Sequence, residues 1–557
     1  MSRDAFLLVL VPTLPLLLAL LSALVRRPLW LLPWGALPAL ACILLVPVGA
    51  AFELPDAQLS AVLRLDAMGA LFLGLAAPLW ICAGLYAQGY LAGKPHARGF
   101  CVCWQLTLAG SLGTCVAGDA VAYYVAFSFV SLPAYALVIH ERSAESLRAG
   151  RIYIALAVFG ETSLLLALML GSHAAASTLM DPIRQALPQA EWGTWAVLAL
   201  LAGVGMKCGL VPLHGWLPLA HSAAPVPASA VLSGAIVKAG VIGLVRFLPG
   251  EGLLADWPLV ITWLGLASAY AGVVLGLPQQ NPKAVLAYST MSQMGLLVAV
   301  IGAGAGTPGA AAAEATAAAV ALLAVHHGLA KGALFLGYGL LGAWAGRGLV
   351  LAVLAVLGAA IAGLPLSGGA LAKLATKEPL GEGAAALAAT WSAVGTMLLM
   401  LRFLWLAARQ EARSGRPSLW MLLPWVVLVV AALAVPWGLA PRLAPSAVAY
   451  ALEPASLVDA AWPLLLALAL AYAAARWPLN RPQVPVGDVA AWVDARLGTL
   501  RERSQAPAVE PGAGDAVAMP ALSWMAGAHG AAERLTAWSV AVAALGLLAL
   551  LLGLVLA

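Results

Sequence analysis

Residues 201–247 read LAGVGMKCGLVPLHGWLPLAHSAAPVPASAVLSGAIVKAGVIGLVRF. Lys207 and Lys238 stand here inside runs of Leu, Val, Gly and Ala long enough to cross a bilayer as helix, which takes about 20 residues. An ammonium at the centre of such a helix costs at least ~2.5 kcal/mol on insertion scales, so each must face a bundle interior or a hydrated cavity. Gly209 and Pro212 follow Lys207 directly. Both residue types break a helix in mid-span, and broken backbone at membrane depth is tolerated only where it lines a cavity or is buried in protein. The stretch therefore predicts a span broken beside one buried lysine, followed by a second span carrying another.

The rest of the chain has the same character. Of 557 residues 63% are hydrophobic and 10% charged, against about 25% charged in a soluble domain. This predicts an all-α, polytopic membrane protein surrounded by lipid. The first apolar run, from Phe6 to Val25, is followed by Arg26 and Arg27 where a signal peptide would have small residues, so it is expected to stay as a span. The net charge of +5 is spread over short loops and implies no nucleic acid. Cys42, Cys82, Cys101, Cys103, Cys115 and Cys208 show neither CxxC spacing nor a companion His cluster, which predicts small buried hydrophobes. No nucleotide-binding loop and no haem or iron–sulfur spacing is present, so neither a cofactor nor a metal is expected.

Counting runs of that length gives about sixteen spans: 6–25, 29–49, 66–90, 100–117, 119–139, 151–172, 193–213, 225–247, 257–277, 283–303, 313–341, 350–376, 384–408, 418–438, 460–476 and 535–556. The 313–341 and 350–376 segments are long for one straight span, which predicts tilt or a break. Odd-numbered loops hold Arg26 and Arg27, Lys94 and Arg98, Arg142, Arg148 and Arg151, Lys283, Arg347, Arg409, Arg413 and Arg416, then Arg476 and the arginines after it. Even-numbered loops hold mainly acids, among them Glu53, Asp181, Glu251, Glu314, Glu382 and Glu453. The positive-inside rule then puts the odd loops in the bacterial cytoplasm, the protein in the inner membrane and both termini outside.

The breaks fall at Gly209–Pro212 in span seven and within GLPLSGG (363–369) in span twelve. Interrupted spans at matching places in two halves point to inverted repeats, here 100–247 and 257–408, each of five helices. Residues 1–99 add three N-terminal helices and 409–480 two more. In 484–504 Val486, Val489, Trp492, Val493, Leu497 and Leu500 recur at helical spacing between charges, which predicts an amphipathic helix lying along a surface. A Pro/Gly/Ala-rich linker (505–534) leads to a last span at 535–557.

Few ionisable groups remain at membrane depth: Glu161, Lys207, Lys238, His327, Lys331, Lys373 and Arg402. Burial disfavours an ammonium and a nearby carboxylate restores it, so a buried lysine beside a protonatable group is a proton site whose affinity can be switched. His327 and Lys331 are four residues apart and share a helix face. Histidine titrates near neutrality and can relay between neighbours.

The string KCGLVPLHGWLPLAHSAAPVPASAVLSGAIVKAG (207–240) resembles the signature of the proton-conducting, antiporter-like membrane subunits. These occur in respiratory complex I, Mrp-type antiporters, energy-converting hydrogenases and formate hydrogenlyases. LRLDAMGALF (63–72), YAQGYL (86–91), NPKAVLAYSTMSQMG (281–295), HHGLAKGALFLGYG (326–339) and GLPLSGGALAK (363–373) agree with it, so the resemblance covers roughly residues 60–410. The wording SAAPVPASAVLSG is nearest to the Mrp and hydrogenase branch, and the lateral helix with a final span is similar to the longest complex I member.

The resemblance implies that protons reach Lys207 from the cytoplasm, pass through Lys238 to His327 and Lys331, and leave by Lys373. It also implies partner membrane subunits that supply the driving energy, and Na⁺ or K⁺ as a second ion if the chain is of the Mrp kind. A third implied role is a scaffold or a proton-gradient-coupling module for an attached protein, such as an inorganic-carbon uptake enzyme. In the family the counterpart of Lys207 pairs with a glutamate in span five. Here that segment reads AFSFVSLPAY (126–135), with Ser128 in the glutamate's place. Either Glu161 in FGET (159–162) takes over as partner, or the first half-channel is uncontrolled. The first is favoured because an unpaired carboxylate at mid-membrane is costly. His214 and His221, flanking Trp216, could funnel protons inward or simply pack the loop, and Arg402 could serve the path or bond to carbonyls.

Overall fold

The computed structural model describes residues 1–54, 61–249, 256–344, 346–411, 415–476 and 485–486. Among them thirteen helices are long and apolar enough to cross a membrane, so the chain is an all-α, multi-pass membrane protein. In chain order the helices begin with α1 (Arg3–Leu24), α2 (Leu37–Leu45), α3 (Ala67–Tyr90), α4 (Ala97–Val116), α5 (Ala120–Val138), α6 (Ala144–Ala175) and the short α7 (Met180–Ala186). Next come α8 (Gly193–Cys208), α9 (Trp216–Ala223), α10 (Val226–Val231), α11 (Lys238–Phe247), α12 (Trp257–Gly276), α13 (Pro282–Ala305) and α14 (Ala310–Leu341). The last are α15 (Arg347–Ala362), α16 (Gly368–Ala375), α17 (Lys377–Leu380), α18 (Ala384–Ala407), α19 (Leu419–Leu443), α20 (Pro445–Ala451) and α21 (Pro454–Arg476). A two-stranded antiparallel ribbon, β1 (Ala51–Glu53) with β2 (Val62–Arg64), is a feature periodicity did not suggest. The lateral helix expected at 484–504 (but for 485 and 486), the linker expected at 505–534 and the span expected at 535–556 lie outside the described residues.

Burial ranks the helices. In the apolar windows of α13 and α14 every residue is buried, and in the span Val226–Phe247 94% are, against 28% in α1 and 17% in α21. The centre of the bundle is therefore α10, α11, α13 and α14, while α1 and α21 present most of their surface outward. Lysine and histidine on the central helices face protein whichever way they point.

Backbone accounting explains where helices stop. α8 ends at Gly209, whose φ of +73° suits glycine, and the turn closes through Gly209 N–H to Met206 O and Leu210 N–H to Gly205 O. Trp216 Nε1 donates to Met206 O at 2.8 Å, and Val211 N–H donates to Ser268 Oγ at 3.1 Å, so the freed groups find protein partners in place of water. α15 ends likewise at Gly363 with φ +105°, and Ser367 caps α16 by accepting from Ala370 N–H. Asp119 caps α5 through Ala122 N–H at 2.7 Å and also accepts from Val62 N–H of β2.

The structure adds local detail to three expected spans. The 29–49 segment is among the thirteen as Pro28–Leu45, but it is not one continuous α-helix: Pro28–Leu31 and Trp34–Ala36 form 3₁₀ turns before α2. Prolines 28, 33 and 38 lack the N–H a continuous helix needs, and Gln105 Nε2 from α4 donates to the released Leu31 carbonyl at 2.7 Å. Of the tilt or break expected at 313–341 the break is absent: the segment runs unbroken for 32 residues as α14, because its alanine-rich start extends the helix. The 225–247 segment contains a π turn, Leu232–Ile236, that apolar patterning gives no sign of.

Contacts between loops sort them into two faces. Lys94 reaches Glu141 at 4.0 Å, Lys283 donates to Ala224 O, and Arg347 donates to Ala408 O, all joining odd-numbered loops. Arg64 meets Asp181, Arg184 donates to Leu248 O, and Asp119 bonds Val62 N–H, all joining even-numbered ones. Arg246 anchors the second face: its guanidinium, 4% exposed, donates to the carbonyls of Thr114, Cys115 and Ala117 and pairs with Asp66 at 3.1 Å.

Candidate functional site

Lys207 occupies the last turn of α8, where the unpaired carbonyls of the helix end favour a cation. It is fully buried and donates to Ser131 Oγ, with the Phe127 ring 5.0 Å from the ammonium. Glu161 on α6 is also buried, with Oε1 lacking a hydrogen-bond partner among the described residues. Burial strips both groups of solvent; beyond that, the groups acting on the Glu161 carboxyl are Lys207 and the hydroxyls of Ser131 and Ser128. Ser128, in the place where the resemblance expects an acid, is half-buried. Ser131, one turn further along α5, is the hydroxyl that touches the lysine, and sequence reasoning passed over it. Its signal was the i,i+3 spacing from Ser128.

Behind this cluster Cys208 Sγ lies 3.8 Å from Val237 O, the residue before Lys238. Lys238 opens α11 directly after the π turn. Its Nζ donates to Ser233 O within that turn at 2.7 Å and lies 2.7 Å from His327 Nδ1 on α14. Ser233 Oγ in turn is 2.7 Å from Thr290 Oγ1 on α13. Two glycines permit the approach. A Cβ on Gly234 would meet Gly328 O at 2.9 Å, and one on Gly328 would meet Gly234 O at 2.7 Å, so the π turn and α14 touch backbone to backbone. π turns recur where a helix must re-aim a side chain, and here the re-aimed residue is Lys238. Lys331, one turn beyond His327, is fully buried and donates to Leu286 O on α13 at 2.9 Å.

Lys373 lies beyond the second break. Its Nζ reaches back to Ala362 O at 2.7 Å, the carbonyl end of the half-helix α15. It is half-buried and lines a cavity of ≈ 720 Å³ shared with Thr376, Lys377, Glu378, Thr390 and Asp459. Lys377 pairs with Asp459 at 3.2 Å, and Tyr450 Oη donates to the same carboxylate at 2.7 Å.

The remaining candidates separate. His221 stacks on Phe335 with centroids 4.8 Å apart, neither ring nitrogen having a partner among the described residues, and Lys283 and Lys331 are the charges that act on it. His214 is buried in the turn before α9. Arg402 donates to Gln279 O and Gln280 Oε1 beyond α12 and lies 4.7 Å from the Trp405 ring, which is the carbonyl-bonding alternative. His326, next to His327, is 2% exposed and was not singled out in the sequence.

Comparison with known proteins fits this layout. Residues 117–378 match the family model described as NADH:quinone oxidoreductase/Mrp antiporter, TM. Hydrogenase-4 component B of Escherichia coli (strain K12) is 30% identical over 307 residues, 53% of this chain and 45% of that protein. A Staphylococcus haemolyticus (strain JCSC1435) protein, provisionally named antiporter subunit mnhA2, is 29% identical over 300 residues, 52% of this chain and 37% of its own length. The matches thus span less than half the length of these relatives. The structure of the Mrp complex from Dietzia sp. DQ12-45-1b superposes with a TM-score of 0.62 at 22% identity, covering 92% of this chain and 64% of that one, which shows a shared fold. The segment matched by that family model, 117–378, holds α5 to α16 and with them the buried lysines and histidines of the site.

Proposed function

We propose that this chain is a proton-translocating subunit of a multi-subunit membrane complex, of the hydrogenase or complex I kind. The observation that carries the reading is the 2.7 Å contact between Lys238 Nζ and His327 Nδ1, two titratable groups on different helices at the most buried part of the bundle. An ammonium and an imidazole at that distance share one proton readily and tolerate two poorly, so adding a charge on one side expels a proton on the other. Lys207 with Glu161 would load this pair from the odd-loop face, Lys331 would receive from it, and Lys373 would release into the cavity at the other face. The odd loops are placed in the cytoplasm by their arginines and lysines, with the N-terminus outside and the protein in the bacterial inner membrane. Partner subunits would supply the driving energy.

The test uses inverted membrane vesicles carrying the native complex and a fluorescent pH-gradient probe. Lys238→Ala and Lys331→Ala should each reduce proton uptake at least ~10-fold while the complex still assembles. Uptake at the wild-type rate in both variants would leave the chain a scaffold or coupling module.

A second reading, exchange of Na⁺ or K⁺ for H⁺, draws on the fold shared with the Mrp complex and on the mnhA2 likeness. It predicts that proton uptake responds to the added cation in vesicles whose other proton pumps are inhibited.

A further inference from the structure

α14 carries two adjacent histidines, and only one of them has a place in the path described so far. His327 faces Lys238. His326, displaced by about 100° around the helix, faces the second broken helix instead. A Cβ on Gly369 would stand 2.8 Å from its Cε1, and one on Gly368 would stand 3.2 Å from its Cδ2. The imidazole is thus seated on the two-glycine start of α16. Lys373 is four residues beyond Gly369, on the same face of that helix, and a helical side chain leans back towards the N-terminus, here towards the histidine. Lys373 is the charge that acts on His326, and His326 in turn acts on His327. The ring is 2% exposed, and its Nε2 has no hydrogen-bond partner among the described residues.

A buried imidazole nitrogen without a partner is costly, and an aliphatic or aromatic side chain would pack there without that cost. Meanwhile the central pair is bonded to α11 and α13, and Lys373 is bonded to Ala362 O on α15. His326 is the titratable group that joins these two sets. We propose that His326 carries the proton from His327 and Lys331 to Lys373. One proton passes to the neutral imidazole from the central pair, and one passes on to the neutral Lys373 amine, leaving the ring neutral again. No other group changes charge. The inference rests on the proton-translocation reading above and adds to it the residue through which the central pair reaches the outer lysine.

The test measures proton uptake by inverted vesicles holding the full complex. His326→Gln keeps a polar side chain of similar size and removes only the titration. It should cut uptake at least ~10-fold, and His326→Ala should regain uptake when imidazole is added to the vesicles. Uptake within twofold of wild type in His326→Gln, while Lys331→Ala and Lys373→Ala abolish it, overturns the role of His326 and leaves the translocation reading standing. Uptake unchanged in all three overturns both. If His326→Gln does not assemble, His326→Ala decides: restoration by imidazole supports the proposal, and wild-type uptake without imidazole, or no response to it, overturns it.

Discussion

Lys238 Nζ and His327 Nδ1 lie 2.7 Å apart, and the lysine's other bond, to Ser233 O, is also 2.7 Å long. Each group is therefore the other's side-chain partner in a fully buried place. Removing either leaves a buried polar group short of a bond, at about 1–3 kcal/mol. Lys238→Ala and His327→Ala should each stop proton uptake and lower the thermal stability of the solubilised complex. The double variant should be no worse than the weaker single one, because one interaction is lost in all three. Additive losses in a double-mutant cycle would show that the two residues act separately.

The contact depends on the backbones of Gly234 and Gly328 meeting directly. A methyl at either position must push the π turn and α14 apart, an overpacking that costs typically 1–3 kcal/mol. Gly234→Ala should therefore impair both stability and uptake without removing any titratable group. Gly348→Ala, where a Cβ meets nothing within 4 Å, serves as the control and should be neutral or slightly stabilising. The comparison is read from melting curves and vesicle uptake side by side.

The apolar runs and the Gly/Pro signals at 209–212 and 363–369 made the all-α, multi-pass class and both breaks readable, because an unpaired backbone in lipid is so expensive that few sequences can hide one. Loop charge separated the two faces for a similar reason. What stayed hidden was set by local detail. The prolines at 28, 33 and 38 were visible, yet hydropathy gives a span's length and not the 3₁₀ turns inside it. The π turn depends on the Gly234–Gly328 contact between segments 94 residues apart (328 − 234). His326 was passed over because amphipathic reasoning assigns one functional face to a helix, whereas α14 is buried all round and both adjacent histidines meet protein.

Arg246 holds the even-loop ends of α3, α4 and α11 together through three carbonyls and Asp66. Deleting its guanidinium leaves those carbonyls and a carboxylate without their donor, a class of change that costs about 3–5 kcal/mol. Arg246→Met should lower the yield of assembled complex sharply. Arg246→Lys should recover only part of it, since one ammonium cannot reach four acceptors spread across a planar fork. Quantifying assembled complex by native gel distinguishes these outcomes, and full recovery with lysine would mean that charge alone matters there.

Glu161 and Ser128 offer an exchange test of the first half-channel. Both act on the same buried environment as Lys207, with Ser131 between lysine and carboxyl. If Glu161 is the acid that controls Lys207, Glu161→Gln should reduce proton uptake at least ~10-fold. Adding Ser128→Glu to that variant restores a carboxyl on α5, one turn from Ser131, and should return a measurable part of the lost uptake. Ser131→Ala should have a smaller effect, because it removes a bridging hydroxyl, worth about 1 kcal/mol, and leaves both charges in place. Wild-type uptake in Glu161→Gln would mean that Lys207 works without a carboxylate partner, and the first half-channel would then have to be driven by the carbonyl end of α8 alone.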